Sequence, residues 1–369
     1  MPGRFAPAAC YDDAMPSLES AIKVQARALG FELVGIASAT PADGIDRMRA
    51  WLEQGYAGEM NYMRRHADAR QHPESILPGV RSVVMVGMNY KPAEDPNFRT
   101  RHIARYACGA DYHDVLWERL NRLLAWLQQD CPGCRCRGVV DTAPLLERDF
   151  ARRAGLGWFG KNAMLINKRL GSYFFIGALL TDLELHPDAP HETSHCGSCT
   201  ACLDACPTAA FVGPGVLDSR RCISYLTIEL RGPIPQDLRS GMGDWLFGCD
   251  VCQEVCPWNR KAPNGLEPAF AARTEIEGVD PVELLSLSVE EFRRRFRATA
   301  LMRAKRGGLL RNAAIVLGNR GDPVALPALR SALHDSDILI REAAQWAIEQ
   351  IEKRTAVSSA HLGPGTERH

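Results

Sequence analysis

The sequence predicts a mixed fold in three consecutive parts: an α/β unit, a small cysteine-bound unit and an all-helical unit. Three observations predict it. Candidate strands alternate with candidate helices over residues 18–185, the pattern of an α/β layer fold. Eight cysteines then fall within the 61 residues 196–256. Residues 289–351 carry helical periodicity and no candidate strand.

Composition sets the outer bounds. With 369 residues, 46% hydrophobic and 24% charged, the chain can bury cores in two or three domains. Its 44 basic and 44 acidic residues cancel, so only local charge can indicate partners. Residues 1–13 lack a basic segment followed by an apolar run, so no secretory signal is read there. Apolar stretches such as 173–180 are too short for a bilayer. The expectation is a cytoplasmic protein with no membrane partner, where thiols stay reduced.

In the first part, Leu18, Ile22, Ala26 and Leu29 recur at helical spacing, and Gly30 suits the C-cap. Residues 31–37 read as a short strand and 44–54 as a helix ended by Gly55. Residues 82–88 are apolar throughout, as a strand buried on both faces would be. Residues 112–129 form an amphipathic helix through Val115, Leu116, Leu120, Leu123, Leu124 and Leu127. Residues 138–141 read as a strand ending in Asp141, and 145–154 as a helix closed by Gly155.

The cysteine spacing is the most specific feature. Cys196-x2-Cys199-x2-Cys202-x3-Cys206-Pro207 is the run that holds [4Fe–4S] clusters in bacterial ferredoxins. Cys249-x2-Cys252-x3-Cys256-Pro257 echoes it, with Cys222 between. Eight thiols match two [4Fe–4S] clusters. Three closely spaced thiols hold three corners of one cube, and the cysteine before proline serves the other cluster. Cys196, Cys199, Cys202 and Cys256 are therefore assigned to one cluster. Cys206, Cys222, Cys249 and Cys252 are assigned to the other. Zinc favours paired C-x2-C knuckles and disulfides an oxidising compartment, which sets both aside. Cys10, Cys108, Cys131, Cys134 and Cys136 remain. The close trio Cys131, Cys134 and Cys136 lacks an evident fourth ligand and is read as free thiols.

In the helical part, Leu310-Arg-Asn-Ala-Ala314 recurs as Ile340-Arg-Glu-Ala-Ala344, each copy expected to open a helix. The pattern resembles a pair of HEAT-type repeats with a shortened period, too few to stand without docking on the rest. Residues 355–369, rich in Ser, Gly and Pro, are expected to be disordered. Arg293, Arg294, Arg295, Arg297, Arg303, Lys305, Arg306 and Arg311 place eight positive charges in nineteen residues with no acid among them. Such a run is either a solvated face or a surface for a polyanion. In a neutral chain the asymmetry points to tRNA or another structured RNA. The expected domains are thus 1–185, ferredoxin-like 186–260 and helical 261–354, followed by the tail.

Clusters move electrons, so bond chemistry needs a further site. No P-loop is present, which argues against ATP-driven reduction. Gly155-x-Gly157-x-x-Gly160 follows a helix and not a strand, the wrong context for a dinucleotide fingerprint. Gly160, Lys161, Asn162, Gly171 and Ser172 either let backbone approach a large ligand or form ordinary turns with a solvated lysine. Asp141 is either a cap or a general acid whose proton affinity a buried cofactor would raise.

Together these residues resemble the epoxyqueuosine reductase family. The resemblance rests on Asp141-Thr-Ala-Pro-Leu-Leu-Glu147-Arg148, Gly157-Trp-Phe-Gly-Lys161-Asn162, the Cys196 run, Cys222 and Gly248 through Asn259, and it spans about residues 18–351. It implies an enzyme similar in its core to reductive dehalogenases, with base-off cobalamin in the α/β domain and two clusters feeding it electrons. The substrate would be tRNA carrying epoxyqueuosine at the wobble position, and the product queuosine. The helical domain would grip the tRNA. The enzyme would be a monomer served by an external donor such as ferredoxin or flavodoxin. Asp141 corresponds to the proton donor. Arg64, Lys161, Asn162, Ser172, Ser224 and Asp250 correspond by position to the cofactor pocket, and the Tyr112-His113 pair fits the family. Cys108 is either a variable position or lies near the cobalt face. The chain has no Asp-x-His-x-x-Gly motif, in keeping with cobalamin bound without a protein histidine below the metal. A corrinoid reductase of a small molecule and a non-catalytic electron carrier or RNA-binding protein are the alternatives.

Overall fold

The computed structural model describes residues 16–92 and 102–361, without the side chains of Glu277 and 357–361. Cys10 and residues 362–369 of the expected tail lie outside the described residues. Six strands position the site: β1 (Leu33–Ser38), β2 (Ser82–Asn89), β3 (Cys136–Val139), β4 (Trp158–Phe159), β5 (Leu165–Ile166) and β6 (Phe174–Thr181). Four of them form one sheet in the order β1-β2-β6-β3, while β4 and β5 pair as a separate hairpin.

Every neighbouring pair in the main sheet is antiparallel. β2 and β3 do run the same way, joined through the Tyr112–Asp130 helix, but β6 is inserted between them in the opposite sense. Alternation of helices and strands along a chain does not determine which strands become neighbours.

Helices cover both faces, which is why all eight positions of β2 are buried. On one face the Leu18–Ala28 and Tyr112–Asp130 helices set Ile22, Ala26, Leu116 and Leu120 against Val84 and Val86. On the other, the Glu147–Arg153 helix sets Phe150 and Ala151 against Val83 and Met85. Leu116, Leu120, Leu123 and Leu127 are fully buried, each stabilising the fold by roughly 1.5–3 kcal/mol. A Cβ on Gly35 of β1 would stand 2.0 Å from the Ala154 carbonyl oxygen, so docking of that helix end requires glycine there.

The C-terminal part is helical: Val289–Arg295, Lys305–Arg320, Leu326–Ala332 and Ile338–His361. A capping box between Ser288 and Glu291 starts the first. Lys305–Arg320 is buried continuously from Leu309 to Gly318, so it shows no single apolar stripe. The echoed segment at Leu310 therefore lies in mid-helix, not at a helix start, whereas Ile340 sits in the first turn of its own helix, as expected. The last helix also runs through residues 355–361, where disorder was expected. Ala and Ser tolerate helix, and extending an anchored helix is far easier than nucleating one. These helices share one core with Leu226, Leu246 and Phe247 of the cysteine-rich part. Among the described residues no helix is long and apolar enough to cross a membrane.

Candidate active site

Two cavities lie where the sheet meets the cysteine-rich segment. The larger, about 420 Å³, has Tyr90, Tyr106, Tyr112, Asp141, Glu147 and Phe175 on one side and Cys206, Cys222, Ser224, Cys249, Asp250 and Cys252 on the other. The smaller, about 270 Å³, is lined by Cys196, Cys199, Cys202 and Cys256, together with Lys161, His195 and Trp258. Asn162 lines both and donates from Nδ2 to the Cys252 carbonyl at 3.3 Å. Four thiols thus border each cavity. Cys256 joins three thiols of the first block, and Cys206 joins two of the second.

One-turn helices at Ala201–Asp204 and Val251–Glu254 carry Cys202 and Cys252. Pro257 opens the next turn at a position where its missing N–H is not needed. Burial, and then the facing thiols, push Cys202 and Cys252 upward. Four thiolates cannot share such a space without cations among them, and soft sulfur donors in fours suit iron–sulfur clusters. Gly171 locks the two halves together: its φ is +65° and a Cβ would stand 2.1 Å from Asn259 Oδ1. Ser172 beside it donates its backbone N–H to Asn259 Oδ1 at 2.7 Å and its hydroxyl to Gln253 Oε1 at 2.9 Å.

Asp141 stands two residues beyond β3, in the left-handed region at φ +53°. The Tyr112 hydroxyl donates to its Oδ2 at 2.6 Å, and His113 Nε2 lies 3.5 Å from the same oxygen. His113 Nδ1 is 2.8 Å from Asp111 Oδ1, and Asp111 also caps the helix that carries both rings. Tyr112 is sandwiched between His113 and Phe175, with ring centroids 4.1 and 4.4 Å away.

The general-acid reading of Asp141 called for a proton affinity raised by a bound cofactor; in the protein alone, hydrogen bonding from His113 holds its carboxyl below the usual range despite desolvation. Burial alone would lower His113, but the Asp111 and Asp141 carboxylates carry it up to about 9. The raised carboxyl is Glu147, pushed up to about 8 by burial and then by the charge of Asp141. Its only sequence signal was its place in the run from Asp141 to Arg148.

The other anticipated pocket residues divide. Asn162, Ser172, Ser224 and Asp250 line the larger cavity. Buried Asp250 accepts from the Arg105 backbone N–H at 2.8 Å and pairs with its guanidinium at 3.2 Å. Lys161 instead borders the smaller cavity, where Nζ donates to the carbonyls of Gly197 and Cys199 at 2.7 and 2.9 Å. Arg64 does not line either cavity and donates to the Leu52 carbonyl at 2.7 Å. Cys108 is buried in the core, its sulfur 3.6 Å from the Ala104 carbonyl. Cys134 and Cys136 stand 3.6 Å apart, away from both cavities.

The basic run also divides. Arg293, Arg294, Arg297, Arg303 and Lys305 are exposed. Arg303 grips Glu229 through two bonds of 2.9 and 3.0 Å, Arg306 pairs with Asp335 at 2.5 Å, and Arg295 lies 3.7 Å from Glu283. Arg311 is 1% exposed and donates to the carbonyls of Leu226, Leu230 and Gly232 at 2.7, 3.0 and 2.6 Å. It is therefore an internal tie and not an RNA contact.

Residues 195–259 match the family described as 4Fe-4S double cluster binding domain, and 70–142 match Epoxyqueuosine reductase QueG, DUF1730. The chain is 42% identical to an epoxyqueuosine reductase of Pseudomonas aeruginosa over 340 residues, covering 90% of this chain and 94% of that one. It is 42% identical to the Escherichia coli enzyme of that name over 347 residues, covering 92% and 91%. A crystal structure of epoxyqueuosine reductase with an epoxyqueuosine-modified tRNA-Tyr stem loop superposes with a TM-score of 0.83, at 33% identity and 95% coverage of both chains. The Bacillus subtilis enzyme superposes with a TM-score of 0.82, at 32% identity and the same coverage. With such relatives along nine-tenths of its length, the chain belongs to the epoxyqueuosine reductase family.

Proposed function

We propose that the chain reduces epoxyqueuosine to queuosine at the wobble position of tRNA anticodons, the last step in making that nucleoside. Epoxide, two electrons and two protons give alkene and water, so the site must deliver both kinds of particle. The observation that carries this reading is the larger cavity, which brings Asp141 and four cysteine thiols to one space. [4Fe–4S] clusters would be held by the two thiol sets, with exposed Cys199 nearest an external donor such as ferredoxin or flavodoxin. Base-off cobalamin would be held in the larger cavity beside Asn162, Ser172, Ser224 and Asp250, and no histidine is among the lining residues. When bound, that cofactor supplies a low-valent cobalt for cleaving the carbon–oxygen bonds.

The chain's own groups handle the protons. His113 holds one at neutral pH and faces Asp141 Oδ2, as does the Tyr112 hydroxyl. A proton passed to Asp141 makes it the acid for the departing oxygen. Tyr112 and Phe175 stack with centroids 4.4 Å apart and form an aromatic wall beside Asp141. Exposed Arg293, Arg294, Arg297 and Lys305 would meet tRNA phosphates. Arg303, whose charge is felt at Asp141, would lie nearest the modified nucleoside. In this reading residues 1–185, 186–260 and 261–354 act as cofactor, cluster and HEAT-like tRNA-gripping domains of a cytoplasmic monomer. Nucleoside analysis of tRNA from cells lacking the chain tests the function. Epoxyqueuosine should accumulate; normal queuosine levels would refute it.

A further inference from the structure

Asp141 adopts a backbone conformation that non-glycine residues rarely take, φ +53°, at a cost of about 1–3 kcal/mol. Such a residue persists only where its surroundings hold it. Tyr112 grips the side chain. The backbone is gripped by Glu147, whose Oε1 accepts the Asp141 N–H at 2.6 Å. Glu147 is the first residue of the Glu147–Arg153 helix, which is packed on the sheet through Phe150 and Ala151. Its position is therefore set independently of the Asp141 turn, and its carboxyl lines the larger cavity.

Resting on the reduction proposed above, we propose that Glu147 is a positioning residue: its carboxyl holds the Asp141 turn at the cavity by accepting the Asp141 backbone N–H. An ionised Glu147 would set a second negative charge against the Asp141 carboxylate. Burial and the Asp141 charge both oppose that ionisation. The cations facing Glu147 are Arg148 on its own helix and Arg70 on the 3-10 turn Asp68–Gln71. Tyr112 on the neighbouring helix is the other titratable group that senses it. Neither arginine offsets the burial, since the carboxyl is still pushed up to about 8. Two carboxyls with proton affinities split this way leave one charged and one neutral at pH 7. Above about pH 8 ionisation would strengthen the N–H bond itself, but the repulsion between the Glu147 and Asp141 carboxylates outweighs that gain, so the turn is best held while Glu147 keeps its proton.

Two measurements test this. In pH-difference infrared spectra of the cluster- and cofactor-loaded protein without tRNA, a protonated-carboxyl band should disappear between pH 7 and 9 and be absent from Glu147→Gln. An unchanged band in that variant would overturn the assignment, whatever the substrate. In turnover, Glu147→Ala should lower kcat at least about tenfold with little change in KM for tRNA. Glu147→Gln, neutral and still an acceptor, should recover most of that loss. It should also move the alkaline limb of kcat from about 8 towards the value of about 9 set by His113. A Gln variant as slow as Ala, or an unmoved limb, would overturn the proposal. A wild-type enzyme that converts no epoxyqueuosine would refute the function and leave the infrared test standing.

Discussion

Arg311 gives the sharpest division between a structural arginine and an RNA-facing one. Arg311→Met keeps much of the apolar stem and removes the guanidinium. The carbonyls of Leu226, Leu230 and Gly232 would then lose their donors. The buried Leu226 acceptor left unpaired costs about 1–3 kcal/mol, and the part-buried Leu230 and Gly232 carbonyls add less because water can reach them, so the sum is roughly 2–4 kcal/mol. Those carbonyls lie between Cys222 and Cys249, so the loss should also loosen the second thiol set. Denaturant unfolding under anaerobic conditions, at matched cluster content, would show a lower midpoint with an unchanged slope. A midpoint within about 1 kcal/mol of wild type, accompanied by weaker tRNA binding, would refute the reasoning and return Arg311 to the RNA surface.

Other outcomes follow from the same geometry. Asp141→Asn should keep the Tyr112 contact and both clusters yet lose at least about a hundredfold in turnover; near-normal rates would remove Asp141 from proton delivery. Replacing Arg293, Arg294 and Arg297 together by Glu should weaken tRNA binding and flatten its salt dependence by about three counterions, with no change in unfolding midpoint. Cys256→Ala should reduce iron content from about eight to about four atoms, sparing the cluster held by Cys206, Cys222, Cys249 and Cys252. Iron remaining at about eight would contradict the crossed arrangement of the blocks. Gly171→Ala should impair cofactor retention, since its Cβ would meet Asn259 Oδ1 at 2.1 Å.

What was legible in the sequence was what local spacing controls. Thiols that wrap a cluster must lie two or three residues apart, so the eight cysteines declared themselves. The buried strand at 82–88 and the helix at 112–129 were legible from their apolar periods. Strand direction was not, because β6 finds its place between β2 and β3 only when the sheet assembles. Ionisation was not legible either. Asp141 and Glu147 are both plain carboxylates in sequence, and only the placement of His113 beside one and the burial of the other separate them. The arginine run read as one surface for a similar reason. Arg293 and Arg311 are alike in one dimension, but the Lys305–Arg320 helix turns Arg311 into the core.

The most direct measurement of the central claim is a defined turnover. The anaerobically prepared protein, loaded with both clusters and cobalamin, is given a chemical reductant and a tRNA anticodon stem loop carrying epoxyqueuosine. Queuosine should appear in proportion to epoxyqueuosine lost, with two electrons consumed per epoxide as the balanced reaction demands. Epoxyqueuosine left intact by fully loaded protein would contradict it.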